Sequence, residues 1–248
     1  MTFFDDEIAV RYDSPADPMN SADAIGPVVE KLAELAAGGP VLEFAIGTGR
    51  IAVPLSRRGI SVSGIELSEP MAAILAAKPE SADISVTIGD MAATRVDGEF
   101  TLVYLVYNTI TNLLEQHQQV ACFENAAAHL LPGGRFVIET GVPRLQRLGV
   151  GETYLPFVVS DGHIGIDEFD VVAQRLTSHH HWIEEGRSQA FSSTHRYAWP
   201  AEYDLMARIA GLELVERWGG WKGEPYTATS RSHVSVWRKP EVGVIPPR

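Results

Sequence analysis

The sequence predicts an α/β fold in which a doubly wound, mostly parallel sheet carries a small antiparallel β lobe. Three observations predict it. Between residues 40 and 140, apolar runs of strand length alternate with helix-spaced apolar positions, the pattern of a parallel sheet covered on both faces. Residues 41–49, Val-Leu-Glu-Phe-Ala-Ile-Gly-Thr-Gly, end one such run in a tight glycine turn that a helix-spaced stretch follows. Residues 144–199 then change to strand-like stretches separated by turn signals.

Taken in order, residues 1–20 are polar and contain proline, with the pair Tyr12-Asp13 standing out. Ile25, Val28, Val29, Leu32, Leu35 and Ala36 recur at three- and four-residue steps up to Gly38-Gly39, which marks an amphipathic helix with a glycine stop. Strands are expected near 40–44, 61–66, 84–88, 101–106 and 134–140, and helices near 48–58, 69–77 and 117–130. In the lobe, 156–160, 164–177, 179–183 and 190–199 read as strands, and Asp161-Gly162 and Glu184-Glu185-Gly186-Arg187 as hairpin turns. A helix over 201–210 stops at Gly211, and 212–218 and 232–238 read as a closing strand pair. The expected organisation is a core of 1–143 and 200–240, a lobe of 144–199 inserted after the fifth strand, and a tail of 241–248.

Composition excludes several classes of function. The 248 residues carry 20 basic and 32 acidic side chains, a net charge of −12, which repels long nucleic acids. No stretch approaches 18 uninterrupted apolar residues, so no membrane span is expected. The N-terminal residues Met-Thr-Phe-Phe-Asp-Asp-Glu are acidic where a signal peptide is basic, and the single Cys122 cannot form an internal disulfide. A cytoplasmic location is the expectation; a homodimer is left open.

The glycine turn has two readings. Gly47-x-Gly49-x-x-Ala52 satisfies the fingerprint of dinucleotide-binding folds, and Glu66, 17 residues past Gly49 at the end of the next strand, could accept from a ribose diol in either case. Glu43 before the turn, Gly89-Asp90-Met91 after a third strand and Leu130-Leu131-Pro132-Gly133-Gly134 before a fifth separate the two. In these residues, over roughly 38–140, the chain resembles the class I S-adenosylmethionine-dependent methyltransferases.

The resemblance implies a Rossmann-like, seven-stranded sheet that closes with an antiparallel terminal strand, S-adenosylmethionine as cofactor and S-adenosylhomocysteine as product. It matches Glu43, Gly47 and Gly49 to the family's first motif, D/E-x-G-x-G-x-G, with Ala45 in place of the first glycine. Glu66 then matches the acid on the ribose hydroxyls and Asp90 the acid on the adenine amino group, with Leu67 and Met91 on the adenine faces. Tyr12 matches a Tyr-Asp pair that folds over the donor in similar proteins. Arg50 either pairs with the donor carboxylate or meets solvent. The D/N-P-P-Y/F sequence of polynucleotide amino-methyltransferases is replaced by Asn108-Thr109-Ile110-Thr111, which favours a small-molecule acceptor.

The acceptor is expected over the ends of strands four and five, near Tyr107 and Asn108, with Trp199 among the aromatic residues that could line it. Asn108 is either a turn former or an acceptor contact. Where the acceptor must lose a proton, histidine suits the task. His179 and His181 share one face of a strand, His180 takes the other, and His195 sits on the neighbouring strand; solvent-facing polar residues are the plainer reading of all four. Three adjacent histidines on a strand cannot converge on one ion, so no metal site is expected. Two further readings stand beside methyl transfer to nitrogen, oxygen or carbon: a nicotinamide-dependent oxidoreductase, although no Tyr-x-x-x-Lys pair is present, and a catalytically silent S-adenosylmethionine-binding subunit.

Overall fold

The computed structural model describes residues 18–184 and 187–241. Tyr12 therefore lies outside the described residues. The first helix, α1 (Ala22–Ala36), is capped by the Ser21 hydroxyl, which accepts from the Ala24 N–H, and ends in Ala37 at φ 50°. Strand β1 (Val41–Phe44) follows, then a short helix α2 (Ala52–Ser56), β2 (Val62–Glu66), α3 (Glu69–Ala76), β3 (Ser85–Ile88) and β4 (Phe100–Leu105). Helix α4 (Gln116–His129) runs into β5 (Leu130–Gly141), and after the second sheet α5 (Pro200–Ile209), β10 (Glu213–Trp218) and β11 (Ser232–Arg238) complete the first.

Seven strands hydrogen-bond in the order β10-β11-β5-β4-β1-β2-β3. Pairings among β1 to β5 are parallel, whereas β11 runs antiparallel to both β5 and β10. Alternation along the strands sends apolar side chains to two separate cores. Leu42 and Phe44 join Phe123, Ala126, Tyr203 and Met206 beneath α4 and α5, while Val41 joins Leu32, Leu35 and Ile51 beneath α1 and α2. Two-sided burial of this kind is what a parallel sheet requires, because crossover helices cover both faces.

Two expectations need correction in this sheet. The helix near 48–58 is reduced to Ala52–Ser56, because residues 45–51 are held in a loop with Ala45 at φ 53°, Gly47 at φ 57° and Gly49 at φ 81°. The fifth strand starts pairing earlier than 134: Leu130 faces Phe100, the register shifts, and Arg135 faces Leu102, so the Pro-Gly-Gly stretch is an irregularity within β5.

Strands β6 (Tyr154–Val159), β7 (His163–Asp170), β8 (Arg175–Glu184) and β9 (Arg187–Arg196) form a separate antiparallel sheet in that order, with β9 at one edge. The stretch 164–177 is two strands and not one. Its break, Val171-Val172-Ala173-Gln174, contains no glycine, but Asp170 Oδ1 accepts from the Val172 and Ala173 N–H groups and Gln174 takes φ 52°. A side-chain cap thus makes a turn in an apolar stretch.

One buried network fastens this sheet to the helices. Arg196, 4% exposed at the end of β9, donates to Glu202 Oε1 at 2.6 Å on α5, to Gln174 Oε1 at 3.1 Å and to Gln119 Oε1 on α4. Gln119 returns the contact by donating to the Arg196 carbonyl at 3.1 Å. Removing the guanidinium takes the cation from the Glu202 carboxylate, which keeps only the neutral amide donors of Gln116 and Gln174, and takes a donor from the amide oxygens of Gln119 and Gln174. Arg196→Ala is therefore expected to lower unfolding stability by about 3–5 kcal/mol, measured by urea denaturation; a loss below about 1 kcal/mol would show that the junction is held by other contacts.

Candidate active site

The C-terminal ends of β1, β2, β3 and β4 meet on one side of the sheet, where open α/β folds bind ligands. The loop after β1 turns there because Gly47 and Gly49 adopt positive φ; a Cβ on Gly49 would collide with the Leu75 side chain. Ala45 occupies the left-handed region despite its Cβ, so the alanine preserves the turn that glycine would make.

Glu66 ties this loop to β2. Its Oε2 accepts from the Gly47 N–H at 2.8 Å and its Oε1 from the Ser68 N–H at 2.7 Å. Burial raises its pKa, and those backbone donors oppose the rise. Glu43, 4% exposed, accepts from the Tyr104 hydroxyl at 2.8 Å. Burial pushes its carboxyl up to about 8, against the lowering pull of Tyr104 and Arg50. A carboxylate held this far from water gains most from a cationic ligand. Asp90, after β3, accepts from the Ala92 N–H at 2.8 Å, which fixes the turn that presents it.

These acids open onto one cavity of about 760 Å³. Glu43, Ala45, Gly47, Arg50, Glu66, Leu67, Asp90, Met91 and Tyr107 line it, so nine of the sequence-predicted donor residues are brought together; Gly49 does not line it and instead packs the turn against Val53 and Leu75. The Arg50 guanidinium carbon lies 3.5 Å from the Tyr107 ring centroid, which places both at the β1 and β4 loops. His195 also lines the cavity, with Nδ1 3.3 Å from Thr111 Oγ1 and Nε2 3.0 Å from Ser193 Oγ.

Other expected residues lie elsewhere. Asn108 is absent from the cavity wall; it takes φ 60° and its Oδ1 accepts from the Gly141 N–H, so it acts as a turn former joining the ends of β4 and β5. Trp199 caps α5 at 38% exposure and does not line the cavity. Neither His179 nor His181 forms its wall, although both lie on β8 of the adjoining sheet.

The sequence did not single out Glu115, Gln118, Ser192 and Thr194, which complete the far end of the cavity. Glu115 caps α4 in a reciprocal pair with Gln118 and meets Arg175 of β8 in an ion pair. The Glu-x-x-Gln spacing was a legible capping signal. Ser192 and Thr194 sit in a stretch with no motif, and only the docking of β9 against the loop after β4 exposes them to the site.

A methyltransferase domain model matches residues 41–134, the stretch that supplies Glu43, Glu66 and Asp90. The cypemycin N-terminal methyltransferase of a Streptomyces species is 31% identical over 204 residues, covering 80% of this chain and 82% of the relative. The chain belongs to the class I S-adenosylmethionine-dependent methyltransferases. The CcbJ methyltransferase of Streptomyces caelestis superimposes with a TM-score of 0.83 at 37% identity, covering 96% of this chain and 98% of the other. CalS10, an amino pentose methyltransferase from Micromonospora echinaspora solved with S-adenosylmethionine bound, shares the fold at a TM-score of 0.72 and 19% identity, covering 96% and 99% of the two chains.

The methyltransferase is thus an enzyme with S-adenosylmethionine as its cofactor, and the residues present fit that group: two desolvated carboxylates, an acid after β3 and a glycine loop that admits close backbone approach. The nicotinamide reading falls with the family assignment and with the antiparallel β11, where a dinucleotide fold would continue with parallel crossovers. No helix among the described residues is long and apolar enough to cross a membrane.

The Glu43 pKa gives the ligand-free methyltransferase a pH dependence. Its folded value of about 8 lies above the unfolded 4.5, so the native state keeps a proton that the unfolded chain has lost. This contribution to stability is complete below pH 4.5, declines as pH rises by up to about 1.4 kcal/mol per unit, and is gone above about 8. Glu43→Gln should remove that slope, so the variant gains on the wild type in thermal melts as pH rises from 5 to 8 while its affinity for S-adenosylmethionine falls. Parallel melting curves across that range would contradict the assignment.

Proposed function

We propose that the chain methylates an amine nitrogen of a small molecule or short peptide, with S-adenosylmethionine held by the loops after β1, β2 and β3. The observation that carries this reading is the single cavity whose one end is built from Glu43, Glu66 and Asp90 and whose other end is built from Glu115, Gln118, Ser192, Thr194 and His195. Its volume falls in the range of small-molecule sites, roughly 300–1,000 Å³. Acceptor-side groups that accept hydrogen bonds suit an N–H donor, and the acidic net charge of −12 draws a protonated amine toward the molecule. The cypemycin relative is named an N-terminal methyltransferase, and a relative from Streptomyces fradiae is named an N,N-dimethyltransferase of an amino sugar, which supports nitrogen as the methylated atom.

Within the donor end, Glu66 accepts from the ribose hydroxyls and Asp90 from the adenine amino group, with Leu67 and Met91 against the adenine faces. Glu43 and Arg50 take the ammonium and carboxylate of the amino-acid tail. Ala45, Gly47 and Gly49 let the backbone approach. Tyr107 walls the passage to the acceptor. When bound, S-adenosylmethionine supplies an electrophilic methyl group on a sulfonium. The protein's own task is to align the acceptor nitrogen with that methyl group, exclude water and receive a proton.

Calorimetric titration with S-adenosylmethionine tests the donor end. Glu66→Ala and Asp90→Ala should each weaken binding about tenfold or more, the cost of leaving ribose or adenine donors unpaired in a desolvated site; wild-type affinity in both variants would sink the placement. For the acceptor end, the protein is incubated with S-adenosylmethionine and a panel of amino sugars, free-amine peptides, phenols and carboxylic acids. Mass spectrometry should find the added methyl group on amine members, and methylation confined to the oxygen acceptors would overturn the nitrogen reading.

A further inference from the structure

The lobe sheet meets the cavity at its β9 edge, through Ser192, Thr194 and His195. Register fixes which residues share it: His179 lies directly opposite Ser192 on β9 and Ile166 on β7, while Thr177 lies opposite Thr194 and Glu168. Directly opposed side chains project to the same side of a sheet. Ser192 and Thr194 line the cavity, and the row that includes Glu168, Thr177 and His179 leads away from it across the sheet.

Along that row runs an unbroken chain of hydrogen bonds. Tyr154 donates its hydroxyl to Glu168 Oε1 at 2.9 Å, Glu168 Oε2 lies 3.1 Å from His179 Nε2, and His179 Nδ1 lies 2.9 Å from Ser192 Oγ. The His179 and Tyr154 hydrogen bonds hold the Glu168 carboxyl below the usual range, so it is ionised and can only accept. His179 must then carry a hydrogen on Nε2; in the neutral ring this leaves Nδ1 as an acceptor, with the Ser192 hydroxyl as its donor. Ser192 Oγ retains lone pairs for a group within the cavity.

We propose that Ser192, His179 and Glu168 form a proton relay that deprotonates the acceptor. The proposal rests on the amine-methylation reading. A proton leaves the acceptor nitrogen for Ser192 Oγ as the serine proton passes to His179 Nδ1, and the nitrogen keeps the electron pair of the broken N–H bond for attack on the methyl group. The Glu168 carboxylate stabilises the resulting imidazolium, and solvent takes the proton away from a His179 side chain that is 31% exposed. Ser192 is the catalytic residue of this set; His179 and Glu168 act through it, and Tyr154 positions Glu168.

The other histidines offer no equivalent. His181 lies opposite Ile164 and Ala190, which have no polar side chains. His195 lines the cavity, yet its two ring nitrogens meet only the hydroxyls of Thr111 and Ser193, and burial lowers its pKa. Among the described residues, His179 is the histidine that joins a carboxylate on one side to a cavity hydroxyl on the other.

A base-activated serine can be detected without knowing the acceptor. Phenylmethylsulfonyl fluoride reacts with such a hydroxyl: the sulfur–oxygen bond forms, fluoride leaves and the proton passes to His179. Peptide mass mapping should find the label on Ser192, at a rate that falls about 100-fold in His179→Asn, falls by a smaller factor in Glu168→Gln and vanishes in Ser192→Ala. Calorimetry with S-adenosylmethionine on the same samples separates this outcome from failure of the donor site. With an amino sugar or free-amine peptide that the wild type methylates, Ser192→Ala should lower kcat while leaving the donor KM unchanged, and Ser192→Thr should restore most of it. An unlabelled Ser192 in protein that binds the donor, equal labelling with asparagine at 179, or full kcat in Ser192→Ala would each overturn the relay.

Discussion

A buried carboxylate at the end of β2 sets the geometry on which the rest of the site depends. Glu66 uses both oxygens to accept backbone N–H groups, one from Gly47 in the loop after β1 and one from Ser68 at the start of α3. The loop could otherwise follow any path its glycines allow. Anchored to Glu66, it brings Gly47 to the same cavity as Glu43 and Asp90. The cost is a desolvated acid, and the backbone donors offset it by stabilising the charged form.

Glu43 occupies a different electrostatic position a short distance away. It has a tyrosine hydroxyl and a nearby guanidinium but no pair of backbone donors, and its pKa rises to about 8. The two acids thus differ: backbone donors counter the rise in Glu66, whereas the Glu43 carboxyl is pushed up to about 8. Such a difference follows from which hydrogen bonds each acid receives, since both are deeply buried.

The acceptor side is built on a different principle. It depends on the way the second sheet sits over the first, and that docking runs through Arg196, Gln119 and Glu202 instead of through a shared core. The lobe's own apolar cluster is small, with Leu155, Phe169 and Tyr197 at its centre. A polar latch fixes orientation more sharply than an apolar patch because each hydrogen bond has a direction. Ser192, Thr194 and His195 reach the cavity from a strand edge as a consequence.

The sequence by itself determined the alternation of strands and helices, the glycine turn after β1, the order of the three acids and the closing strand pair, because each is written in short-range spacing: apolar period, glycine position, an acid at a strand end. It left Asn108 open between turn and acceptor contact, and it ran one strand across Val171-Val172-Ala173-Gln174, since a turn made by the Asp170 side chain leaves no glycine to read. Tertiary structure alone decided that Asn108 faces Gly141, that Trp199 stands away from the cavity and that His179 meets Glu168 and Ser192. Those contacts join residues on different strands and different sheets, and no local pattern encodes a meeting that only the register of β7, β8 and β9 brings about.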